Sequence, residues 1–271
     1  MKILRYSVTI LFTITLAVFV LFNIRQLGMD DTVPVITIDG ELLEVSIAAT
    51  DTELMSGVSA YDEKDGDITD KVIVESISRF TEPGVSIVKY AVCDNDDHVS
   101  SATRRIVYTD YAPPRFTLSS SLVFGVSHSI NIRNLLGATD SIDGDISKKV
   151  IITASDYSSS TTGIYTISAK VTNSKGDMIT LQLPVYVEEL SLAAPEIALD
   201  SYLLYLKVGD EFDPVSDLLY ARDHEQNNLT ADVSLDTDLD LSRPGMYEVH
   251  YRVSDAYERK GHAILTVIVE E

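Results

Sequence analysis

The chain carries one block of sequence three times, and this repetition limits its fold more than any other feature. The copies begin at Ala60, Ala138 and Ala221, about 80 residues apart, a spacing that indicates repeated structural units. The first two read Ala-x-Asp-x-x-Asp-Gly-Asp-Ile-Thr/Ser, whereas the third lacks the Asp-Gly-Asp turn. Three similar segments in order predict three folded units, each with a small core of its own.

A glycine turn and an alternating strand follow each block. In the first copy Val88, Tyr90 and Val92 alternate with Lys89, Ala91 and Cys93, and in the third Val249, Tyr251 and Val253 alternate with polar side chains. One apolar face and one mixed face is typical of a strand on the surface of a β-sandwich. Final strands are predicted over residues 104–108, 178–187 and 263–269. The fold class is therefore predicted to be all-β.

The segment Tyr6–Ile24 is apolar and uncharged, unlike the repeats. Nineteen helical residues span about 28 Å, close to the hydrocarbon thickness of a bilayer. Lys2 and Arg5 precede the segment, which favours a cytoplasmic N-terminus and an extracellular C-terminal part. We predict a single-pass anchor in the cell membrane. A cleaved signal peptide is the alternative, although no small-residue cleavage site follows.

The repeated block, followed by a Gly-x-Tyr turn and a strand ending in Tyr-x-Val-x-Asp, resembles the bacterial Ig-like surface repeats. The resemblance covers about residues 34–270 and implies three tandem Ig-like β-sandwich domains. Prolines at the start of each copy predict short, stiff junctions and end-to-end stacking as a rod. The predicted division is a tail and transmembrane helix at 1–29, then domains at 30–111, 112–190 and 191–271.

Two tyrosines fit a known feature of this fold. In Ig-like sandwiches a tyrosine near the start of one strand packs into the core while its hydroxyl bonds a nearby backbone group. Tyr165 and Tyr247 occupy that position of the Gly-x-Tyr turn, and Ser86 replaces them in the first copy. We predict a structural role for both tyrosines.

Closely spaced carboxylates in the first two blocks are candidate ligands for a hard cation such as Ca²⁺. They are Asp62, Asp65, Asp67, Asp140, Asp143 and Asp145. The alternative is that Asp-Gly forms a turn with positive φ and the aspartates cap backbone N–H groups. The loop at residues 94–97 would add ligands if it folds beside the first turn. Apart from this candidate Ca²⁺, no cofactor is predicted.

The charge of the chain excludes several kinds of partner. The formal net charge is −21, and residues 1–29 contain no acidic residue. So acidic a surface repels nucleic acid and anionic lipid. The single cysteine, Cys93, excludes an internal disulfide. Its place on the mixed face of the strand allows either partial exposure or an inert position under neighbouring side chains. The five histidines form no helical metal pair, and no nucleophile elbow or phosphate loop is present, so no enzymatic activity is expected.

These features predict a non-enzymatic, membrane-anchored protein of the bacterial cell surface. Its tandem Ig-like rod would serve adhesion, ligand display or spacing, with a protein or a surface glycan as partner. The alternative is an accessory subunit of a membrane or envelope complex that binds partner chains through its anchor helix and its sandwich edges.

Overall fold

The computed structural model describes residues 2–27, 31–128 and 130–271. They fall into two compact units, which divide between Asp110 and Tyr111. Strands dominate the described residues, and one long helix lies at the N-terminus. The predicted all-β class with an N-terminal helix is confirmed. The predicted boundary between residues 29 and 30 lies outside the described residues, and the division into three domains remains a prediction.

Helix α1 spans Lys2–Leu27. Its segment Tyr6–Asn23 has a mean hydropathy of 2.0, and none of that segment is buried inside the protein. The hydroxyls of Thr13 and Thr15 donate to carbonyls of the preceding turn, at 3.0 Å from the Thr9 oxygen and 2.8 Å from the Leu11 oxygen. Such bonds satisfy polar groups within the helix. By length and composition, this is the one helix of the described residues that can cross a membrane.

The rest of the first unit is a pair of sheets with one short helix. The smaller sheet has the strand order β1-β3-β4 and the larger has the order β2-β7-β6-β5. The elements are β1 (Val35–Ile38), β2 (Leu42–Val45), α2 (Asp51–Leu54), β3 (Val58–Asp62), β4 (Gly66–Asp67), β5 (Ile73–Ile77), β6 (Val85–Cys93) and β7 (Val99–Tyr108). The core between the sheets contains Val88, Tyr90, Val92 and Ile106, so the predicted inward face of β6 is confirmed.

The second unit contains two further pairs of sheets. In the second sheet pair, the order β11-β10-β8 faces β12-β13-β14-β9; in the third, β15-β17 faces β16-β20-β19-β18. The strands are β8 (Arg115–Leu118), β9 (Val123–Gly125), β10 (Leu136–Asp140), β11 (Gly144–Asp145), β12 (Ile151–Ser155), β13 (Gly163–Thr172), β14 (Met178–Glu188), β15 (Glu196–Leu199), β16 (Leu203–Lys207), β17 (Leu218–Arg222), β18 (Ser234–Thr237), β19 (Gly245–Ser254) and β20 (Lys260–Glu270).

The second and third sheet pairs contact each other along β20. Ile268 of β20 and Leu203 and Tyr205 of β16 pack with the core of the second sheet pair. The Ile264 N–H donates to the Ser121 hydroxyl at 2.9 Å. Because these β20 residues lie along one face of the strand, the contact is lateral. The expected end-to-end stacking is therefore wrong for these two sheet pairs.

A signal for this lateral contact is present in the sequence. Residues 263–267 of β20 are all buried, so both faces of the strand are covered. The run Ala-Ile-Leu-Thr-Val-Ile-Val at residues 263–269 is nearly continuous in apolar residues, which is typical of a strand buried on both sides. An outward face exposed to water would alternate with polar residues.

Candidate functional site

The repeated block forms a closed turn at the end of β3. The Asp62 carboxylate accepts the N–H groups of Lys64 at 3.0 Å and Asp65 at 2.9 Å. Asp67 accepts the N–H of Thr69 at 3.0 Å. Gly66 has φ of 80°, a conformation in which a side chain would be strained. The positive-φ turn expected from Asp-Gly is confirmed.

The second copy repeats this geometry. Asp140 accepts the N–H groups of Ile142 at 3.0 Å and Asp143 at 2.9 Å. Asp145 accepts the N–H of Ser147 at 2.8 Å. Four of the six candidate carboxylates thus satisfy backbone N–H groups of their own turn, as the capping alternative requires.

The last residue of each block is a threonine or a serine, and its hydroxyl accepts a hydrogen bond from the first residue of the block. The Ala60 N–H donates to the Thr69 hydroxyl oxygen at 3.0 Å, and the Ala138 N–H donates to that of Ser147 at 3.1 Å. In the third copy the Ala221 N–H donates to the Thr230 hydroxyl at 3.0 Å. This bond ties the strand that contains the alanine to a 3₁₀ helix that begins at the hydroxyl residue. The three 3₁₀ helices are Thr69–Lys71, Ser147–Lys149 and Thr230–Asp232.

The third copy closes its turn with a different hydrogen-bond pattern, and its positive φ falls one residue earlier in the block. Asp223 accepts the N–H groups of Glu225 at 2.9 Å and Asn227 at 2.8 Å. Asn228 accepts the Thr230 N–H at 2.9 Å, as Asp67 and Asp145 do for their hydroxyl residues. Gln226 supplies the positive φ, at 67°. A neutral amide can thus replace the last carboxylate of the turn.

The remaining two candidate carboxylates reach a neighbouring loop. Asp65 accepts the backbone N–H and the side-chain amide of Asn95, both at 2.8 Å, so the loop at residues 94–97 does lie beside the first turn. Asp143 accepts the Ser174 N–H at 2.7 Å and the Lys149 ammonium at 2.7 Å. Both carboxylates therefore join the turn to the loop that precedes the last strand of the sheet pair.

These hydrogen bonds change the acidity of the carboxyls. The hydroxyl and N–H of Thr69 lower the pKa of Asp67, and those of Ser147 lower the pKa of Asp145. Burial opposes ionisation of Asp143, but bonds from Lys149 and Ser174 outweigh it and lower its pKa. All three groups are therefore anionic at neutral pH.

The positions of the candidate carboxylates can be compared with what a metal centre requires. Across residues 2–27, 31–128 and 130–271, no three side chains of His, Cys, Asp or Glu converge as a metal centre requires. Ca²⁺ takes six to eight oxygens, and the candidate oxygens already accept hydrogen bonds within the protein. Calcium binding at these turns remains a prediction.

The tyrosines of the glycine turns have the predicted contacts. The Tyr165 hydroxyl donates to the Thr161 carbonyl at 2.9 Å, and the Tyr247 hydroxyl donates to the Arg243 carbonyl at 3.1 Å. Both rings pack against the core of their sheet pair. The predicted role is confirmed. Cys93 is exposed at the end of β6, which decides between the two positions that the sequence allowed.

Paired sheets with a core between them define an all-β protein built of β-sandwich units. Part of the chain also matches a known family: residues 201–269 fit the family described as "Bacterial surface protein, Ig-like domain". That match covers strands β16 to β20 of the third sheet pair. The predicted bacterial Ig-like surface domain is confirmed for this part of the chain.

Two curated proteins share sequence with a larger part of it. Pesticidal crystal protein Cry22Aa of Bacillus thuringiensis is 29% identical over 264 residues, which are 91% of this chain and 35% of that protein. An uncharacterized 81.3 kDa protein of Acholeplasma phage L2 is 28% identical over 138 residues, which are 49% of this chain and 18% of that protein. The chain thus spans about a third or less of these relatives.

Solved structures similar to the chain include two of different kinds. One contains the M60 catalytic domain with the CBM51-1 and CBM51-2 domains of Clostridium perfringens ZmpB, with 14% identity, a TM-score of 0.25 and coverage of 89% of this chain and 31% of that one. Another is Drosophila N-cadherin EC1-4, with 10% identity, a TM-score of 0.23 and coverage of 90% and 76%.

Proposed function

We propose that this chain is a non-enzymatic protein of the bacterial cell surface, held in the membrane by α1 and projecting its sheet pairs outside the cell. The observation that carries the proposal is the position of a fully exposed apolar helix before an acidic β-region. Segment Tyr6–Asn23 contacts no core of its own, and such an apolar surface is stable only in lipid or against a partner. The Ig-like surface match at residues 201–269 supports the same location.

The sheet pairs serve adhesion, ligand display or spacing. The net charge of −21 keeps such domains soluble and apart from nucleic acid and anionic lipid. The hydrogen bonds of the repeated block hold its turns and tie them to the neighbouring loops, which supports a scaffold role. The partner is a protein or a surface glycan.

Membrane anchoring is tested by fractionating cells of the source organism. The full chain is expected in the membrane fraction, to resist carbonate extraction, and to be cut by protease added to intact cells. A chain lacking residues 2–27 is expected in the soluble fraction. Protection of the sheet pairs from protease in intact cells would overturn the proposed orientation.

Adhesion is tested by co-sedimentation of residues 32–271 with purified cell envelopes. Saturable binding supports an adhesive role, and no binding contradicts it while leaving spacing and display. The alternative role as an accessory subunit is separated by crosslinking the full chain in membranes. A defined partner that is captured with α1 and lost without it would favour the subunit.

A further inference from the structure

A chain of side-chain contacts joins the second and third sheet pairs beside one end of β14. Glu188 Oε1 lies 2.9 Å from His262 Nδ1, and His262 Nε2 lies 3.0 Å from His250 Nδ1. His250 Nε2 lies 3.5 Å from Glu248 Oε2, which accepts the Tyr186 hydroxyl at 2.5 Å. Tyr186 and Glu188 belong to the second sheet pair and the other three residues to the third.

The contacts limit how many protons the two imidazoles can hold. His262 Nδ1 must carry a proton to donate to Glu188, whereas His250 Nε2 lies at ion-pair distance from Glu248. Between His262 Nε2 and His250 Nδ1 there is room for one proton only, since one nitrogen must accept. The contact between the two rings therefore excludes a pair in which both histidines are imidazolium.

Full protonation of both histidines disrupts the pair. Two N–H groups would then point at each other across 3.0 Å, and two positive charges would lie side by side in a partly buried place, which is repulsive. The His262 side chain is only 2% exposed, so water cannot screen the contact without the two sheet pairs moving apart. Separation of the histidines relieves the repulsion and hydrates both.

We propose that His250 and His262 form a pH-sensitive latch, which holds the second and third sheet pairs together at neutral pH and releases them in mildly acidic solution. Histidine is the side chain whose charge most readily changes in mildly acidic solution. Each proton that is taken up on opening raises the equilibrium constant for opening by at most about tenfold for each unit by which the pH falls.

The other charged groups around the pair support this direction. Arg252 lies on β19 and pairs with Asp236 of β18 at 3.4 Å, and Asp238 follows β18 in the same groove. A hydrogen bond from His262 lowers the pKa of Glu188. Burial opposes ionisation of Glu248, yet bonds from His250 and Tyr186 lower its pKa. Both glutamates therefore stay anionic in mildly acidic solution, so protons are added to the histidine pair and not to the glutamates.

The latch lies at one end of the contact along β20, and different contacts hold the other end. There Arg115 and Glu270 form an ion pair, and the Phe116 N–H donates to the Tyr205 hydroxyl at 3.1 Å. Neither contact contains a histidine. Release of the latch therefore opens one end while the other stays in contact. A groove lies beside the latch and widens when the latch opens. Its lining includes Gln182, Pro184, Met246 and Glu248.

The experiment measures a distance between the two sheet pairs in the full chain in detergent micelles. Cys93→Ser removes the native thiol, and Ala154→Cys and Ala231→Cys place spin labels at two exposed positions, one on each sheet pair. Electron–electron distance measurements at pH 7.5 and pH 5 are expected to give one narrow distribution at the higher pH. A longer and broader component is expected to grow as the pH falls.

Variants assign the effect to the latch. His262→Gln retains a donor for Glu188 but cannot take up a proton. His250→Gln removes the second imidazole of the pair. Each variant is therefore expected to abolish the pH response. His224→Gln, at an exposed position outside the cluster, is expected to leave it intact. Circular dichroism confirms that each variant is folded. A distance independent of pH in the parent, or a pH response that persists in both His250→Gln and His262→Gln, would overturn the proposal.

Discussion

The Arg104 guanidinium lies 3.2 Å from the Tyr90 hydroxyl inside the first core, where both side chains are at least 96% buried. The guanidinium also donates to the carbonyls of Ser56 at 2.7 Å and Leu54 at 3.1 Å. By strand register Arg104 lies opposite Val88, and the second and third sheet pairs place Leu183 and Leu265 at the corresponding position. A buried cation here replaces an aliphatic side chain and is held by backbone carbonyls.

We expect Arg104→Leu to destabilise the first unit although leucine occupies the matching positions elsewhere. The carbonyls of Ser56 and Leu54 lose their guanidinium donor, and a hydrogen bond that involves a charged group contributes about 1.5–3 kcal/mol. Urea unfolding of the full chain in detergent, followed by tyrosine fluorescence, measures the loss. Arg105→Leu is the matched control, because Arg105 is 54% exposed and pairs with Glu82 at the surface. An Arg104→Leu chain as stable as the control would contradict the argument.

The tyrosine hydroxyls of the glycine turns give a second prediction. Tyr165→Phe and Tyr247→Phe each remove one hydrogen bond to a backbone carbonyl, four residues earlier in the chain. Each is expected to cost about 1 kcal/mol of unfolding free energy, the ordinary net contribution of such a bond. Tyr257→Phe is the control, since its side chain is 66% exposed. Equal stability of all three variants would show that the hydroxyls contribute nothing.

The strands and the helix could be predicted because their patterns are local. The alternation of Val88, Tyr90 and Val92 has a period of two whatever the rest of the chain does, and the uncharged segment from Tyr6 needs only length and composition. Tyr165 and Tyr247 could be assigned because the glycine before each marks the turn. These predictions depend on neighbours in sequence, and the structure agrees with them.

Contacts between distant residues could not be predicted from those patterns. Arg104 is a charged residue at the start of a predicted strand, and only the register with β6 shows that it points into the core. Glu188 and His262 are 74 residues apart in sequence, and no local pattern brings them together. The aspartates of the repeated block were ambiguous for another reason, since the same spacing suits a metal loop and a capped turn.

Acid is expected to destabilise the chain through its capping carboxylates. Asp67 and Asp145 have pKa values below the ordinary 3.8 when folded, so they favour folding above that value, and their contribution is lost as the pH falls through the folded value. The urea midpoint is expected to fall between pH 5 and pH 3. The double variant Asp67→Asn/Asp145→Asn keeps an acceptor oxygen but does not titrate, so its midpoint should fall less. An identical fall would exclude these two groups as contributors.

The calcium hypothesis makes the last prediction, and it can be separated from capping. If Ca²⁺ binds the first two turns of the folded chain, CaCl₂ raises the unfolding temperature. At a Ca²⁺ concentration a hundred times the dissociation constant, one site adds about 2.7 kcal/mol to the free energy of unfolding. Asp65→Asn/Asp143→Asn should abolish that rise, because these two carboxylates bond the neighbouring loop rather than their own turn. Asp223→Asn is the control, since the third turn ends in Asn228 and lacks the full set of carboxylates. A melting temperature that is the same in CaCl₂ and in chelator would contradict calcium binding. The six aspartates would then act only through their hydrogen bonds to the turns and the neighbouring loops, and adhesion by the protein would not depend on Ca²⁺.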